Sequence, residues 1–370
     1  MSNPPRGETD LLAWLQAGFP ELMRLRDAAA GVPLYLVGGA VRDLLLGFER
    51  GDVDVAVEGD VGPIASALGG RVIEHERFAT ANVELEDLHV DLARTRAETY
   101  AHPGALPMVR PASIEEDLAR RDFTLNAMAI PLQGQSELID PHVGRRDLAD
   151  GLLRVLHYRS FVDDPTRAIR AARYAARFGF AIEPTTLDLL RAADLGTVSD
   201  DRRVAELGKL AAEPQAVAGL RLLDDWGVLE LDIPPVAAVG ELLSGPPWSE
   251  VAPRDRTILR AALGELDRAR ELARVAPTRP SEGVELARGA DAEDLAIARA
   301  LGARWLDHYV SEWRSVVLEI GGEDLLRAGV PEGPAVGRGL AAALRGKLDG
   351  EISGREAELA AALAAARDPG

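Results

Sequence analysis

The chain has no cysteine in its 370 residues, which excludes disulfide bonds and thiolate metal sites. Long hydrophobic runs are missing too: the longest, LAAALAAA near the C-terminus, is too short to span a bilayer, and no signal peptide is recognisable. We therefore expect a soluble protein of the reducing cytoplasm with no membrane partner.

Positive charge is also scarce. Lysine and arginine number 42 against 60 aspartates and glutamates, so the net charge is −18, which argues against nucleic acid as a partner. The distribution of charge changes this view, because residues 151–180 contain six arginines, two aspartates and no lysine or glutamate. A basic stripe on an acidic body is compatible with RNA binding over a limited surface.

The first informative segment is LVGGAVRDLLLGFERGDVDVAV, from Leu36 to Val57. Its start predicts a short buried strand, then a tight turn at Gly38 and Gly39, then a helix over 40–46. The free N–H groups at such a helix start can hold a triphosphate, although a glycine pair after a strand is often only a turn.

Asp52 and Asp54 follow in the β-branched run DVDVAV. A period of two turns both carboxylates to one face of a strand, where they repel each other unless a cation lies between them. Two such carboxylates can hold a pair of Mg²⁺ ions, one activating an attacking hydroxyl and the other steadying a leaving pyrophosphate. The alternative is a pair of charges that protects an edge strand. Combined with the glycine turn, the pair indicates nucleotidyl transfer.

A second cluster, SIEEDLARRDFTLNAMAI, spans residues 113–130. Ser113 and Glu116 predict a capping box that starts a short helix. We expect Arg121 to reach the triphosphate and Asp122 to orient it. The alternative is a surface arginine pair bridged to Asp122.

The third cluster is DDPTRAIRAARYAARFGF, residues 163–180. It predicts a helix that starts near Pro165 and ends at Gly179. Arginines 167, 170, 173 and 177 fall on one stripe of this helix, opposite small apolar residues. The alternative is a solvated face on which the two leading aspartates pair with Arg167.

With these clusters in order, the chain resembles the class II tRNA nucleotidyltransferases, or CCA-adding enzymes, and the bacterial poly(A) polymerases. The motifs are LVGGAVRDLLLG with DVD, EEDLARRDFTLNAMAI with LIDPHVGRRDL, and DDPTRAIRAARYAARFGF, all within residues 33–180. The resemblance implies an α+β fold: a polymerase-β-like head, with a mixed sheet and flanking helices, followed by an all-helical neck, body and tail.

The resemblance also implies roles for individual residues. Asp52 and Asp54 would be the catalytic residues and bind two Mg²⁺ ions, and Asp164 with Arg167 would be the protein template for the incoming base. The implied nucleotide-binding residues are Gly38, Gly39, Arg42, Arg121, Asp164, Arg167, Arg170 and Arg173. The family usually has Glu-Asp where this chain has Asp163-Asp164, so the role of Asp163 stays open. Asp91 is either a third carboxylate near the metals or a capping residue, and we leave it out of the metal set.

The template assignment also has a chemical reason. Cytosine and adenine both show an exocyclic amine beside an unprotonated ring nitrogen, so a carboxylate acceptor beside an arginine donor fits both bases. Uracil and guanine reverse this pattern and leave both protein groups unpaired, at a cost of roughly 1–3 kcal/mol per group.

Four regions are predicted: an N-terminal helix and extension (1–32), a catalytic head (33–150), a helical neck that selects the base (151–235) and a helical body and tail that bind tRNA (236–370). Strands dominate the head (VDVAV, RVIEH, ANVEL, LHVDLA, LNAMAI and ELID), with helices around 40–46, 61–68 and 113–118.

The resemblance implies Mg²⁺-dependent transfer of CMP, AMP or both from CTP and ATP to the 3′ end of tRNA, with contacts to the acceptor stem and elbow. Alternatives are a poly(A) polymerase, a CC-adding enzyme, a non-catalytic RNA-binding relative and a transferase for small hydroxylated molecules. In the family, the loop between the third head strand and the Arg-Arg-Asp motif is shortened in enzymes that stop after CC. Here residues 95–117 are present and contain Gly104 and three prolines, so we expect the terminal A to be added.

Overall fold

The computed structural model describes residues 20–29, 31–47, 53–69, 71–75, 79–85, 88–133 and 137–367. Residues 1–19, which belong to the predicted N-terminal helix and extension, lie outside this part of the chain. The predicted α+β class is confirmed: a mixed sheet comes first and helices follow. The strands are β1 (Leu34–Val37), β2 (Val53–Val57), β3 (Arg71–His75), β4 (Thr80–Leu85), β5 (Leu88–Arg94), β6 (Arg96–Thr99), β7 (Met108–Pro111), β8 (Ala129–Pro131), β9 (Leu152–Leu153) and β10 (Ala181–Ile182).

The central sheet has the strand order β3-β4-β5-β2-β1-β8. Strands β2 and β5 run parallel and every other neighbouring pair runs antiparallel. Strand β2 therefore lies inside the sheet, which explains its buried run of valines. Strands β6 and β7 form a separate antiparallel hairpin.

In the first half of the chain, helices lie between the strands in sequence and follow the last of them. They are α1 (Pro20–Ala28), α2 (Gly39–Leu46), α3 (Gly62–Leu68), α4 (Ile114–Ala119), α5 (Gly144–Asp150), α6 (Ser160–Asp163), α7 (Arg167–Phe178), α8 (Pro184–Arg191) and α9 (Asp200–Ala211). The predicted helix starts and ends are confirmed where they were most specific: Ser113 and Glu116 form the capping box of α4, and Gly179 ends α7 with a φ of 68°.

Two strand predictions were wrong. LNAMAI forms a 3₁₀ turn over Thr124–Asn126 and only then the short β8, and ELID contributes a single bridge, Ala129 to Ile139. In ELID, Asp140 accepts hydrogen bonds from the nearby amides of Gly144 and Arg145, and in LNAMAI a polar side chain takes part in tertiary hydrogen bonds. Asn126 bonds the side chains of Asp122 and Arg42, which requires a turn rather than a strand at that position.

After residue 211, every regular element among the described residues is a helix. They are α10 (Ala216–Asp225), α11 (Ile233–Leu242), α12 (Trp248–Val251), α13 (Arg254–Ala262), α14 (Asp267–Ala273), α15 (Pro280–Ala287), α16 (Ala292–Ala300), α17 (Trp305–Ser311), α18 (Gly322–Arg327), α19 (Pro334–Leu348) and α20 (Arg355–Arg367). Helices α18, α19 and α20 share a small apolar core. Beside this core, Lys347 pairs at 2.6 Å with Glu358, whose side chain is fully buried.

The contacts divide the chain into two compact units, Met1–Leu210 with Leu222–Leu229 and Ala211–Arg221 with Glu230–Gly370. The boundaries predicted near residues 150 and 235 make a finer division, and they stay predictions. No helix in the described ranges is both long and apolar enough to cross a membrane.

Candidate active site

The glycine turn after β1 is held in a conformation that favours glycine. Gly38 has a φ of 64°, and a Cβ atom there would lie 2.5 Å from Nη1 of Arg121. Both the left-handed backbone and the close approach therefore require glycine. The turn that starts α2 consequently faces Arg121.

Asp54 lies on β2 and faces the same turn. Its Oδ2 atom is 3.8 Å from the position that a Cβ of Gly39 would occupy. In the neighbouring strand β5, Asp91 is the residue in register with Asp54, and its carboxylate accepts a hydrogen bond from Asn82. Asp52 lies outside the described residues, so the shared face of the two aspartates stays a prediction. Within the described ranges, no group of three or more His, Asp or Glu side chains is placed to hold a metal ion.

Arg42 projects from α2 into a buried position beside Asp43 and Asn126. Its Nη1 atom donates to Oδ1 of Asn126 at 2.7 Å, and Nη2 pairs with Asp43 at 2.8 Å. Its guanidinium lies 5.1 Å from the ring centre of Tyr174 and 4.8 Å from that of Phe178. Burial alone would lower the pKa of Arg42, but Asp43 outweighs burial and the pKa lies above its usual value. The charge is thus retained under the glycine turn.

Arg121 is oriented by Asp117. Its Nη2 atom pairs with Asp117 at 2.9 Å, and the other oxygen of Asp117 binds Arg120 at 2.7 Å. Burial would raise the pKa of Asp117, but the two arginines outweigh it and the pKa is lowered. The prediction that Asp122 orients Arg121 was wrong. The i to i+4 spacing brings Asp117, on α4, to Arg121, two residues beyond the end of that helix, whereas Asp122 pairs with Arg170.

Asp122 binds the neck helix α7 instead. Arg170 Nη2 donates to Asp122 Oδ2 at 2.6 Å, and Asn126 donates to Oδ1 at 2.9 Å. Burial would raise the pKa of Asp122, but the charge of Arg170 and the Asn126 hydrogen bond hold it well below its usual range. The charge of Asp122 in turn raises the pKa of Arg170. A continuous network therefore runs from Arg42 through Asn126 and Asp122 to Arg170.

Of the two residues expected to select the base, Arg167 is the first residue of α7 and Asp164 lies three positions before it. Asp164 accepts hydrogen bonds from the amide and hydroxyl of Thr166 and pairs with Arg202 at 3.0 Å. Arg167 is buried and donates to Ser160 Oγ at 2.7 Å and to the carbonyl of Arg120 at 2.8 Å. The alternative of a solvated face with Asp164 paired to Arg167 is not what the structure has. Both side chains are held by other partners.

The β6–β7 hairpin forms one wall of the site. Tyr100 donates to Glu98 at 2.8 Å, and Glu98 also binds Arg120 at 2.8 Å. Burial, together with the charge of Glu98, raises the pKa of Tyr100, which keeps the phenol protonated. At the hairpin tip, Gly104 has a φ of 69°, and its carbonyl accepts a hydrogen bond from Arg202 at 2.9 Å. Much of the segment 95–117 thus forms a hairpin, and its tip contacts Arg202 on α9.

These groups surround one cleft of about 640 Å³. Among the predicted site residues, those that line it are Gly38, Gly39, Arg42, Asp54, Arg121, Asp164, Arg167 and Arg170. Arg173 lies beside Tyr174, with its guanidinium 5.1 Å from the ring centre, and does not belong to the lining. Asp163 pairs with Arg159 and lines a smaller neighbouring cavity.

Sequence reasoning missed the wall formed by α9. Arg202, Glu206 and Lys209 all line the cleft, and their spacing of four and then three residues places them on one helix face. The spacing was readable from the segment DDRRVAELGKL, but acidic and basic residues at such spacing are ordinary on exposed helices.

Comparison with known proteins agrees with this geometry. The model of the poly A polymerase head domain matches residues 34–154. An A-adding tRNA nucleotidyltransferase of Halalkalibacterium halodurans is 47% identical over 222 residues, which are 56% of this chain and 52% of that protein. A CC-adding tRNA nucleotidyltransferase of Deinococcus radiodurans is 36% identical over 334 residues, which are 85% of each chain.

A solved structure agrees over nearly the whole length. The Thermotoga maritima CCA-adding enzyme complexed with tRNA superposes with a TM-score of 0.75 at 29% identity, covering 97% of this chain and 98% of that one. This chain spans about half the length of the Halalkalibacterium halodurans relative, and 47% and 26% of two further A-adding relatives. The motifs, the cleft that they build and a 36% identical relative matched over 85% of its length together show that the chain belongs to the tRNA nucleotidyltransferase family, which includes the CCA-adding enzymes.

Proposed function

We propose that this protein transfers AMP from ATP to the 3′ end of tRNA without a nucleic-acid template. As a full CCA-adding enzyme it would also transfer CMP from CTP before the AMP. The observation that carries this proposal is the single cleft that joins the glycine turn, Asp54, the arginines of α2 and α7, and the Asp164–Arg167 pair. A nucleoside triphosphate has a polyanionic end and a base end, and this cleft has matching groups for both. The tRNA complex of the Thermotoga maritima relative supports the choice of acceptor.

The triphosphate would be held by the turn at Gly38 and Gly39 together with Arg42, Arg121 and Arg170. The backbone N–H groups at the start of α2 and the three guanidinium groups can donate hydrogen bonds to phosphate oxygens. None of these groups carries an acceptor atom of its own. Because Asp43, Asp117 and Asp122 already orient these arginines, binding requires little side-chain ordering. The site is therefore arranged to hold the γ- and β-phosphates while the α-phosphate reacts.

Asp54 and Asp52 would hold two Mg²⁺ ions. Carboxylate oxygens are the ligands that Mg²⁺ prefers, and Asp54 faces the turn proposed to hold the triphosphate, so the residue fits that role. The ions would supply charge that favours the ionised 3′-hydroxyl and the departing pyrophosphate. In the reaction, the 3′ oxygen of the terminal tRNA nucleotide forms a bond to the α-phosphorus. The bond between the α-phosphorus and the oxygen that bridges it to the β-phosphorus breaks, and pyrophosphate leaves with that oxygen.

Asp164 and Arg167 would select the base. The carboxylate accepts from the exocyclic amine of cytosine or adenine, and the guanidinium donates to the adjacent ring nitrogen. Arg167 is fixed by Ser160 and by the Arg120 carbonyl, so its donors cannot turn to suit another base without losing those bonds. We further propose the finer division of the chain into a head to residue 150, a neck to 235 and a tRNA-binding body and tail.

The hairpin β6–β7 supports addition of the terminal A. The resemblance implies that the segment before the Arg-Arg-Asp motif is shortened in family members that stop after CC. Here that segment follows β5 and forms a hairpin whose tip contacts Arg202. The 47% identity to an A-adding relative points the same way.

The deciding experiment supplies tRNA ending at the discriminator base, at C or at CC, with CTP, ATP or both. We expect extension of the CC-ended tRNA by a single A. Addition of CC to the bare tRNA, followed by a stall with ATP present, would refute A addition. Growth of long A tracts on unrelated RNA would replace tRNA repair by poly(A) synthesis as the function.

A further inference from the structure

Tyr174, on helix α7, is surrounded by three guanidinium groups. Their carbon atoms lie 5.1 Å from the ring centre for Arg42, 5.9 Å for Arg170 and 5.1 Å for Arg173. All three distances are within the range of about 6 Å over which an aromatic ring attracts a cation. Tyr174 is only 7% exposed, so water screens these contacts little. One ring is therefore shared by three cations from two helices.

Three positive charges so close together repel one another. Arg42 and Arg170 each pair with a carboxylate, at 2.8 Å and 2.6 Å. Among the described residues, Arg173 has its side-chain hydrogen bond and its ring contact with Tyr174 instead. The electron-rich ring of Tyr174 thus offsets part of the repulsion within this group of arginines.

The hydroxyl oxygen of Tyr174 acts on two of the same arginines. Nη2 of Arg170 and Nη2 of Arg173 both donate to it, each at 3.4 Å. Both bonds are long and each is weak by itself, but they restrain the same guanidinium groups that the ring attracts. Hydroxyl and ring together therefore limit the rotation of these two side chains.

We propose that Tyr174 is a positioning residue of the triphosphate site, whose hydroxyl and ring hold the guanidinium groups of Arg42, Arg170 and Arg173 together. The inference rests on the proposed function, which assigns the triphosphate to Arg42 and Arg170. A polyanion that meets cations already gathered loses less side-chain entropy on binding than one that must gather them. Tyr174 should therefore affect the binding of the phosphates and not that of the base.

The test removes first the hydroxyl and then the ring. Equilibrium binding of ATP and of adenosine, which carries no phosphate, is measured with Mg²⁺ present in the native protein, in Tyr174→Phe and in Tyr174→Leu. We expect Tyr174→Phe to bind ATP about 2- to 12-fold more weakly, the range that one lost hydrogen bond gives. Tyr174→Leu also loses the ring contacts and should bind ATP at least about 10-fold more weakly. Adenosine should bind to Tyr174→Phe as tightly as to the native protein.

Controls separate this effect from folding. Tyr174→Phe keeps the ring and nearly the whole side-chain volume, so it leaves no cavity in the core and covers the case in which Tyr174→Leu does not fold. Tyr35→Phe removes a hydroxyl that is bonded to Glu58, and because neither residue belongs to the cleft lining it should leave ATP binding unchanged. In transfer assays KM for ATP should rise in Tyr174→Phe by the same factor as the binding constant, with kcat unchanged.

Binding is measured without tRNA. A selective loss of ATP affinity in a protein that does not extend tRNA would therefore support this role of Tyr174 while refuting the proposed function. Native ATP affinity in Tyr174→Phe, or equal losses of affinity for ATP and adenosine in that variant, would overturn the proposal.

Discussion

Arg202 joins the tip of the β6–β7 hairpin to the carboxylate of Asp164. Its Nη2 atom lies 3.0 Å from Asp164 Oδ1, and its Nη1 atom donates to the carbonyl of Gly104 at 2.9 Å. Both contacts come from one planar guanidinium, so movement of the hairpin tip changes the position of the group that holds Asp164. Asp164, the residue proposed to select the base, and the hairpin tip are therefore linked through a residue on a third element, α9.

Replacing Arg202 should disturb base selection while leaving the arginines of the triphosphate site in place. We expect Arg202→Ala to lower kcat/KM for CTP and ATP by about 5- to 150-fold and to weaken rejection of UTP and GTP. Steady-state kinetics with the four nucleotides measure both effects. The matched control is Arg203→Ala on the same helix, because Arg203 pairs with the exposed Asp200. Equal effects in the two variants would show that α9 was merely destabilised.

The carboxylates proposed to bind metal should be essential for transfer only. Asp54→Ala or Asp52→Ala should abolish incorporation with little change in cooperative melting or tRNA affinity, because the residues act on the reacting phosphate. Incorporation assays, thermal melting and tRNA binding are measured on the same preparations. Asp91→Asn is the comparison on the adjacent strand. Turnover retained in either alanine variant would refute the two-metal assignment, and loss of cooperative melting would assign these aspartates a structural role.

The template pair should determine which bases are accepted. Asp164→Ala or Arg167→Ala should narrow the preference for C and A over U and G, since each broken contact costs roughly 1–3 kcal/mol, or about 5- to 150-fold in kcat/KM. Arg167 also donates a hydrogen bond to Ser160. Ser160→Ala is therefore the control that removes this bond while keeping the Arg167 guanidinium. If UTP and GTP are rejected as strongly as before in both variants, the template lies elsewhere in the cleft.

Gly38→Ala tests the close approach of Arg121 to the turn. The new Cβ would meet Nη1 of Arg121 at 2.5 Å on a backbone with φ of 64°, so the arginine must move. We expect KM for the nucleotide to rise by about 10-fold or more, in addition to a stability loss of about 1 kcal/mol from backbone strain. Gly47→Ala has the same kind of strain, with φ of 77° and no atom within 4 Å. A similar rise in KM for both variants would mean that strain alone is responsible.

Acid stability should depend on Asp122. Its pKa is lowered in the folded protein, so its ionised form contributes stability that is fully present above the unfolded pKa of about 3.9 and is lost as the pH falls below that value. At pH 7 the free energy of unfolding of Asp122→Asn should be lower than that of the native protein by about 3 kcal/mol, because Arg170 loses its buried partner. As the pH falls below about 4, the free energy of unfolding should decrease less steeply in the variant than in the native protein. Urea unfolding at several pH values measures both. Asp150→Asn, an exposed aspartate, should keep the native pH dependence.

Much of the head could be predicted from the sequence because its signals are local. The capping box at Ser113, the helix end at Gly179 and the strand before the glycine turn each depend on residues a few positions apart. The segment around Asn126 could not be predicted in this way. The residue pattern of this segment predicts a strand. The side chain of Asn126, however, bonds Asp122 and Arg42, which are 4 and 84 positions away, and these bonds require a turn.

The sequence by itself determined the order of the motifs, the boundaries of most head elements and the residue types able to bind phosphate and base. Only the tertiary structure decided which carboxylate pairs with which distant arginine: Asp122 with Arg170, and Asp164 with the unforeseen Arg202. Adjacent positions such as Arg121 and Asp122 point in different directions, and a long guanidinium side chain has several carboxylates within reach. The pairing therefore depends on how α4, α7 and α9 pack together, which no local spacing encodes.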